Sequence, residues 1–335
     1  MLGRVEKALR HPDGNVSLVS QPNPRVSVIV PAYGVAHLVG DALTSLLAQS
    51  FTDWEAIVID DGSADDVAGA CAPFASDPRI RVMLTDNRGV ATARNRAIGA
   101  SRAPYLALLD GDDEYEPDHL ATMLQAIEED PNIGFVTCDA VYTGLPDRAG
   151  QLFSSYNSQG GEVTLERVMR QEFHIIAGSM MRRAAYDAIG GYDATLRSAE
   201  DLDFWIRMLA AGWRAVWIDR PLVRYRRRPG SLSMDAATMI SCAHEVYEKL
   251  VIALAGRPEE AVARDMLAKS QTARRWIEGQ ALVQDGDVAR GLAMMRGSGG
   301  KSLRWKLAMP LMRIFPGLAG PLLKLRHHLP PPSRG

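Results

Sequence analysis

Asp110-Gly111-Asp112-Asp113 sets three carboxylates within four residues, and its glycine lets the backbone turn tightly enough to aim two of them at one centre. Hard divalent cations want oxygen ligands, and Mg²⁺ or Mn²⁺ on phosphates takes one or two carboxylates plus water. The same residues also suit a plain strand-ending turn, where Asp and Gly are favoured for backbone reasons. Asp60-Asp61-Gly62-Ser63 offers a similar choice. It is either a turn that caps the next helix or a carboxylate in a crevice, accepting from a ligand N–H such as that of a nucleobase. In Gly89-Val90-Ala91-Thr92-Ala93-Arg94-Asn95 the small residues allow close approach, and Arg94 could pair with phosphate; otherwise the segment is a solvated helix face. Ser198-Ala199-Glu200-Asp201 fits a helix capping box with Ser198 as N-cap and Asp201 at the third position. Acids in a first helical turn also gain from the dipole, whatever else they do.

The elements that carry these residues alternate regularly. Val26 to Val30 is a β-branched run stopped by Pro31, and Leu38, Ala42, Leu43, Leu46 and Leu47 then recur at helical spacing. Strands are predicted at Glu55 to Ile59, at Ile80 to Leu84 (ending in Thr85-Asp86-Asn87-Arg88-Gly89), at Tyr105 to Leu109 and at Ile133 to Cys138. Helices are predicted at Val90 to Ala100 and from Pro117 to about Glu129. Continuous apolar strands alternating with helices mean a parallel sheet covered on both faces. Ligands of such sheets bind outside the carboxyl ends of the strands, where the acidic clusters fall after the second and fourth strands. From Gln159 the rhythm is less regular, with a strong helix at Ser198 to Ala211, closed by Gly212, and a last strand at Val216 to Ile218. Beyond about Asp235 the chain reads as helices only. The expected division is a lead-in over 1–24, an α/β catalytic domain over 25–235 and a helical, basic region over 236–335.

Of the 335 residues, 47% are apolar and 23% charged, and the net charge is −2, which argues against a protein that coats nucleic acid. Cys71, Cys138 and Cys242 are odd in number and far apart, so neither a disulfide framework nor a zinc cluster is expected. The start lacks the apolar region of a signal peptide, and no run of about 18 uncharged apolar residues occurs, so a cytosolic protein is expected. Charge is uneven, however. From Arg290 onward there are nine Lys or Arg and no acid, which leaves 29 bases against 40 acids before it. Trp305, Leu307, Phe315 and other apolar residues lie among those cations. That mixture suits peripheral contact with an anionic membrane face, or else helices packed on the catalytic domain with cations outward. Pro310, Pro316 and Pro321 argue against one long amphipathic helix.

VSVIVPAYG, IDDGS, NRGVATARNRAIGAS and YLALLDGDD, in that order across Val26 to Asp113, resemble the family 2 inverting glycosyltransferases of the glycosyltransferase A fold. Later features extend the likeness to about Ser233. The resemblance implies a Rossmann-like α/β fold with a mostly parallel sheet, a nucleoside-diphosphate-sugar donor (most often a UDP-sugar) and a divalent metal, Mn²⁺ or Mg²⁺. On matching positions Pro31, Ala32 and Tyr33 would line the base pocket, and Asp60 or Asp61 would bind the base. Asn87, Gly89 and Arg94 would serve the donor, and Asp110 and Asp112 would hold metal and sugar nucleotide, Asp112 more directly. Glu200-Asp201-x-Asp203-Phe204-Trp205 looks like the family segment whose Asp deprotonates the acceptor hydroxyl, which makes Asp201 the base. Burial beside other carboxylates would raise its proton affinity, as a base working near neutral pH requires. The implied acceptor is a glycan or a lipid-linked glycan, as for relatives that build surface polysaccharides.

Tyr225-Arg226-Arg227-Arg228-Pro229-Gly230-Ser231 departs from the family, which has His where Arg228 stands. An imidazole can ligate a metal and a guanidinium cannot. Either a metal lacks a protein ligand on that side or Arg228 meets the diphosphate itself; a solvated basic loop is the plain alternative. His174 and Gly190-Gly191-Tyr192-Asp193 read as structural. Two rival functions remain: a non-catalytic sugar-nucleotide-binding module recruited by its tail, and a nucleotidyltransferase. The second lacks a Gly- and Lys/Arg-rich triphosphate loop after the first strand.

Overall fold

Val28 and Val30 are buried against one face of the central sheet and Ile29 against the other, so one strand feeds two cores. That is why it reads as a continuous apolar run rather than an alternating one. The computed structural model describes residues 9–10, 16–17, 23–231 and 235–296. A short antiparallel pair, β1 (Leu9–Arg10) and β2 (Val16–Ser17), precedes the main fold. Then come β3 (Val26–Ala32), α1 (Val39–Leu47), β4 (Trp54–Asp60), α2 (Val67–Cys71), β5 (Ile80–Leu84), α3 (Val90–Ala100) and β6 (Tyr105–Leu108). The chain continues through β7 (Glu114–Tyr115), α4 (His119–Glu128), β8 (Ile133–Gly144), α5 (Leu165–Met169), β9 (Met180–Arg182) and α6 (Arg183–Ala188). It ends, among the described residues, with α7 (Glu200–Ala210), β10 (Arg214–Arg227), α8 (Ala236–Ala253), α9 (Glu260–Gln284) and α10 (Val288–Met295).

The eight-stranded sheet runs β5-β4-β3-β6-β9-β8-β10-β7. Pairing is parallel from β5 to β6 and again between β8 and β10, whereas β9 is antiparallel to both its neighbours and β7 to β10. Six strands therefore share one direction, and their carboxyl ends open on one side. Two strands of this sheet were not foreseen, nor was the β1–β2 pair. β9 is three residues long and β7 two, too short for any period to declare them. β10 also runs well past the expected Ile218. Pro221, which has no N–H for the ladder, sits where the register with β8 shifts, and the strand resumes beyond it to Arg227.

One core lies between the sheet and α3, α7 and α8; the other lies under α1 and α4. Cys242, Val246, Tyr247 and Leu250 of α8 join Ile29, Phe135 and Phe204 in the first core, so the helical region shares hydrophobic packing with the α/β fold. No helix among the described residues is long and apolar enough to cross a membrane. The basic stretch with Lys301, Arg304, Trp305 and Phe315 lies outside the described residues.

Candidate active site

Four loops meet at the carboxyl ends of β3, β4, β5 and β6. Asp60 Oδ1 accepts from Ser63 N at 3.0 Å, which turns the chain sharply after β4. Asp61 N donates to Ala32 O (3.0 Å), and its buried carboxylate accepts from Arg88 N (3.1 Å) and Gly89 N (2.8 Å). Asp61 thus fixes the 85–89 loop at the head of α3, where Gly89 takes φ +86°. A Cβ on Gly62 would lie 2.6 Å from Asn87 N, so the loops after β4 and β5 touch without side-chain filler. Tyr33 is 56% exposed at the rim, above half-buried Pro31 and buried Ala32. Gly111 N donates to Pro31 O at 3.1 Å, and a Cβ there would stand 3.1 Å from that oxygen. The residues expected to face a base therefore adjoin the acidic loop directly.

Arg94 links that loop to the second half of the chain. Its guanidinium, in a side chain only 5% exposed, donates through Nη2 to Asp110 Oδ1 (2.9 Å) and through Nη1 to Glu200 Oε1 (2.7 Å). Each terminal nitrogen donates to a carboxylate, so Arg94 is not on a solvated helix face. Asn95 beside it donates to Tyr192 O and accepts from Tyr192 N and the Tyr186 hydroxyl, so α3 grips the Gly190–Asp193 turn that leads into α7.

Asp112 and Asp113 are clasped by the end of β10. Arg228 Nε donates to Asp112 Oδ2 at 2.6 Å, Arg226 Nε to Asp112 O at 2.9 Å, and Arg226 N to Asp113 Oδ1 at 2.7 Å. Arg228 is therefore held against the acidic loop by an ion pair with Asp112. Asp201 lies at the second position of α7, half-buried, with Oδ1 accepting from Leu202 N at 2.8 Å. The capping-box expectation is corrected. The N-cap is Ala199, left-handed and without a side-chain cap, and the Ser198 hydroxyl turns to Met239 Sδ instead.

Burial dominates the electrostatics. It pushes the Asp201 carboxyl above its ordinary range, with Arg94 opposing and Asp110 adding to the rise. Glu200 is raised to about 7 by burial and by Asp201, against Arg94. Asp112 is raised by burial and Asp110 against the pull of Arg228, and buried Asp113 is raised well above its ordinary range by burial, Asp112 and Asp110, against Arg226. Among the described residues no three His, Cys, Asp or Glu gather as a metal cage. Asp110 and Asp112 remain a fitting donor pair. Each gives one oxygen to an arginine, and a carboxylate offers about four lone-pair sites. Two carboxylates completed by diphosphate and water are what Mg²⁺ or Mn²⁺ takes on phosphates.

Sequence reasoning missed Glu200 as the second anchor of Arg94, and Arg226 as the clasp on Asp112 and Asp113. Adjacency to Asp201 and to Arg228 was the available signal for each. His174, read as structural, lines a cavity of about 190 Å³ beside Asp201.

The fold is the glycosyltransferase A fold. Residues 27–190 match the family described as glycosyl transferase family 2. The chain is 30% identical over 239 residues to an uncharacterised glycosyltransferase of Haemophilus influenzae, across 68% of this chain and 78% of that one. It belongs to glycosyl transferase family 2. Two solved structures are similar in fold. One is TarS residues 1–349 of S. aureus in complex with UDP-GlcNAc (TM-score 0.62, 20% identity, 82% of this chain and 79% of that one). The other is a mannosyltransferase of Pyrobaculum calidifontis in complex with GDP-Man and Mn²⁺ (TM-score 0.59, 19% identity, 92% and 88% covered).

Proposed function

We propose that this glycosyltransferase inverts the anomeric centre as it moves a sugar from a nucleoside-diphosphate-sugar, a UDP-sugar first among the candidates, to a hydroxyl of a glycan or lipid-linked acceptor in surface polysaccharide synthesis. The observation that carries the reading is the Arg94 bridge. It ties Asp110 of the acidic loop to Glu200, next to Asp201, and so draws a diphosphate-and-metal motif and a candidate base over one crevice. The UDP-GlcNAc and the GDP-Man with Mn²⁺ in the two similar structures support a nucleotide-sugar donor and a divalent ion. Asp110 and Asp112 would hold that ion, which when bound supplies positive charge against the departing diphosphate.

Asp201 takes the proton of the acceptor hydroxyl, whose oxygen forms a bond to the anomeric carbon. The bond from that carbon to the diphosphate oxygen breaks, and its electron pair leaves with the nucleotide. A single displacement inverts the centre, so a second carboxylate nucleophile is not needed. Arg228, fixed beside Asp112, sets a guanidinium where charge grows on the leaving group. The test is UDP release from a UDP-sugar panel with Mn²⁺ and a glycan acceptor panel, followed by ¹H NMR of the product's anomeric coupling. An inverted linkage supports the reading. Retention overturns the mechanism, and no release across both panels overturns the UDP-sugar assignment.

Two expected outcomes follow from the site. Because Asp201 works ionised and burial holds its proton above the ordinary range, kcat should rise with pH through a limb lying above the usual carboxylate region and closer to neutrality. A limb at about 4, that of a free carboxylate, would count against it. For stability the sign is separate. Glu200 binds its proton more tightly when folded (about 7, against an ordinary 4.5), so its contribution is full below about 4.5 and is lost as pH climbs through 7. Second, Arg228→His exchanges a cation for a metal ligand. The Mn²⁺ concentration for half-maximal activity should drop by at least the roughly tenfold that a single supporting residue contributes to metal affinity. An unchanged Mn²⁺ titration would remove position 228 from the metal's surroundings.

A further inference from the structure

The cavity of about 190 Å³ that borders Asp201 is walled by the turn after α5, the start of α7 and the first turns of α8. Its surface is mostly carbon, from Phe173, Ile175, Trp205, Met239 and Ile240 among others, and its polar tips are Gln171, His174 and Asp201. Gln171 and Ala199, at φ +54° and +56°, are the two non-glycine residues with positive φ among the described residues, and both line this cavity. Such backbone persists only where its surroundings over-determine it, and it gathers at functional sites.

Here α8 provides the constraint on both. The Tyr247 hydroxyl accepts from Gln171 Nε2 (3.3 Å) and donates to Met169 O (2.7 Å), while the Ser198 hydroxyl, next to Ala199, meets Met239 Sδ at 3.0 Å. α8 lies beyond residues 27–190, the part matched to the family, so this wall is supplied by the chain's own helical region.

We infer that the cavity is the acceptor subsite and that α8 sets acceptor choice. It takes the terminal sugar of the acceptor, whose hydroxyl reaches Asp201 while a methyl-bearing substituent, acetamido or 6-deoxy, enters among Phe173, Trp205, Met239 and Ile240. The size supports one substituted sugar. Carbon walls reward a methyl group and give nothing to a hydroxyl in its place. This assignment rests on Asp201 as the base.

The experiment uses the full chain with UDP and Mn²⁺, and three probes: methyl N-acetyl-β-glucosaminide, methyl α-rhamnoside and methyl β-glucoside. In saturation-transfer NMR the acetamido or 6-deoxy methyl should receive the strongest saturation, with affinity at least about tenfold above the glucoside, the order a single methyl group commands in a fitted pocket. Ile240→Trp should fill the cavity and abolish that binding, with UDP affinity by calorimetry within twofold of wild type. Ala243→Leu, a smaller intrusion, should weaken it in the same direction and serves if the tryptophan variant fails to fold. Equal binding of all three glycosides, binding of none, or binding that survives both variants overturns the proposal. Should Asp201→Asn keep full transfer while the methyl signals persist, the base assignment falls and the sugar subsite stands.

Discussion

Asp201→Asn is expected to lower kcat by roughly 10²–10⁴-fold, the range that a positioned acid–base group contributes. The substitution keeps shape. An amide oxygen can still accept from Leu202 N, so α7 should start as before, and only the ability to take a proton is lost. A neutral residue at 201 also removes the charge that helps hold Glu200 up at about 7, so Glu200 should titrate lower in the variant. UDP titration should show donor affinity within a fewfold of wild type, because the hydrogen bond that Asp201 accepts comes from Leu202 N and not from a residue assigned to the nucleotide. Transfer that survives at wild-type rate would leave the site without its base.

Arg94→Leu should be the most damaging substitution for folding. It removes the partner shared by Asp110 and Glu200 and leaves carboxylates facing each other in a buried place. Breaking a buried ion pair from one side costs about 3–5 kcal/mol. That corresponds to a fall in Tm of about 6–20 °C for a domain of this class, which calorimetry would read directly. Arg94→Lys should rescue only part of it, since one ammonium cannot span two carboxylates with the fixed fork of a guanidinium. A melting point within a degree or two of wild type in the leucine variant would show that the bridge is not a keystone of the fold.

The parts of this fold that were legible were those whose side chains face two hydrophobic layers. β3, β4 and β6 fall within two residues of the boundaries expected from sequence because burial on both sides writes an apolar run, although Pro31, expected to stop β3, lies inside it. β5 and α3 fall at their expected boundaries, although β5 buries only Ile80. The second half was less legible for a physical reason. β9 pairs through only a few residues with β6 and β8, and the far end of β10 is half-exposed and basic, so neither leaves a hydrophobic pattern. Of the site, the carboxylates were visible as types at spacings, but their partners were not. Arg94 looked like a surface cation poised for phosphate, since nothing local reveals that Glu200, 106 residues away, occupies it. The left-handed turn at Ala199 was equally hidden, because alanine gives no sign of positive φ in a sequence.

The clasp of Arg226 and Arg228 on Asp112 and Asp113 spans more than a hundred positions. During translation the acidic loop is made well before the strand that secures it, and domains fold as the chain emerges at about 5–20 residues per second. A nascent chain halted anywhere before residue 226 would carry Asp112 and Asp113 without their counter-cations, two neighbouring acids left to repel each other. Asp112 and Asp113 thus gain their cationic partners only once the chain has been made as far as residue 228, so the acidic loop is secured late in synthesis.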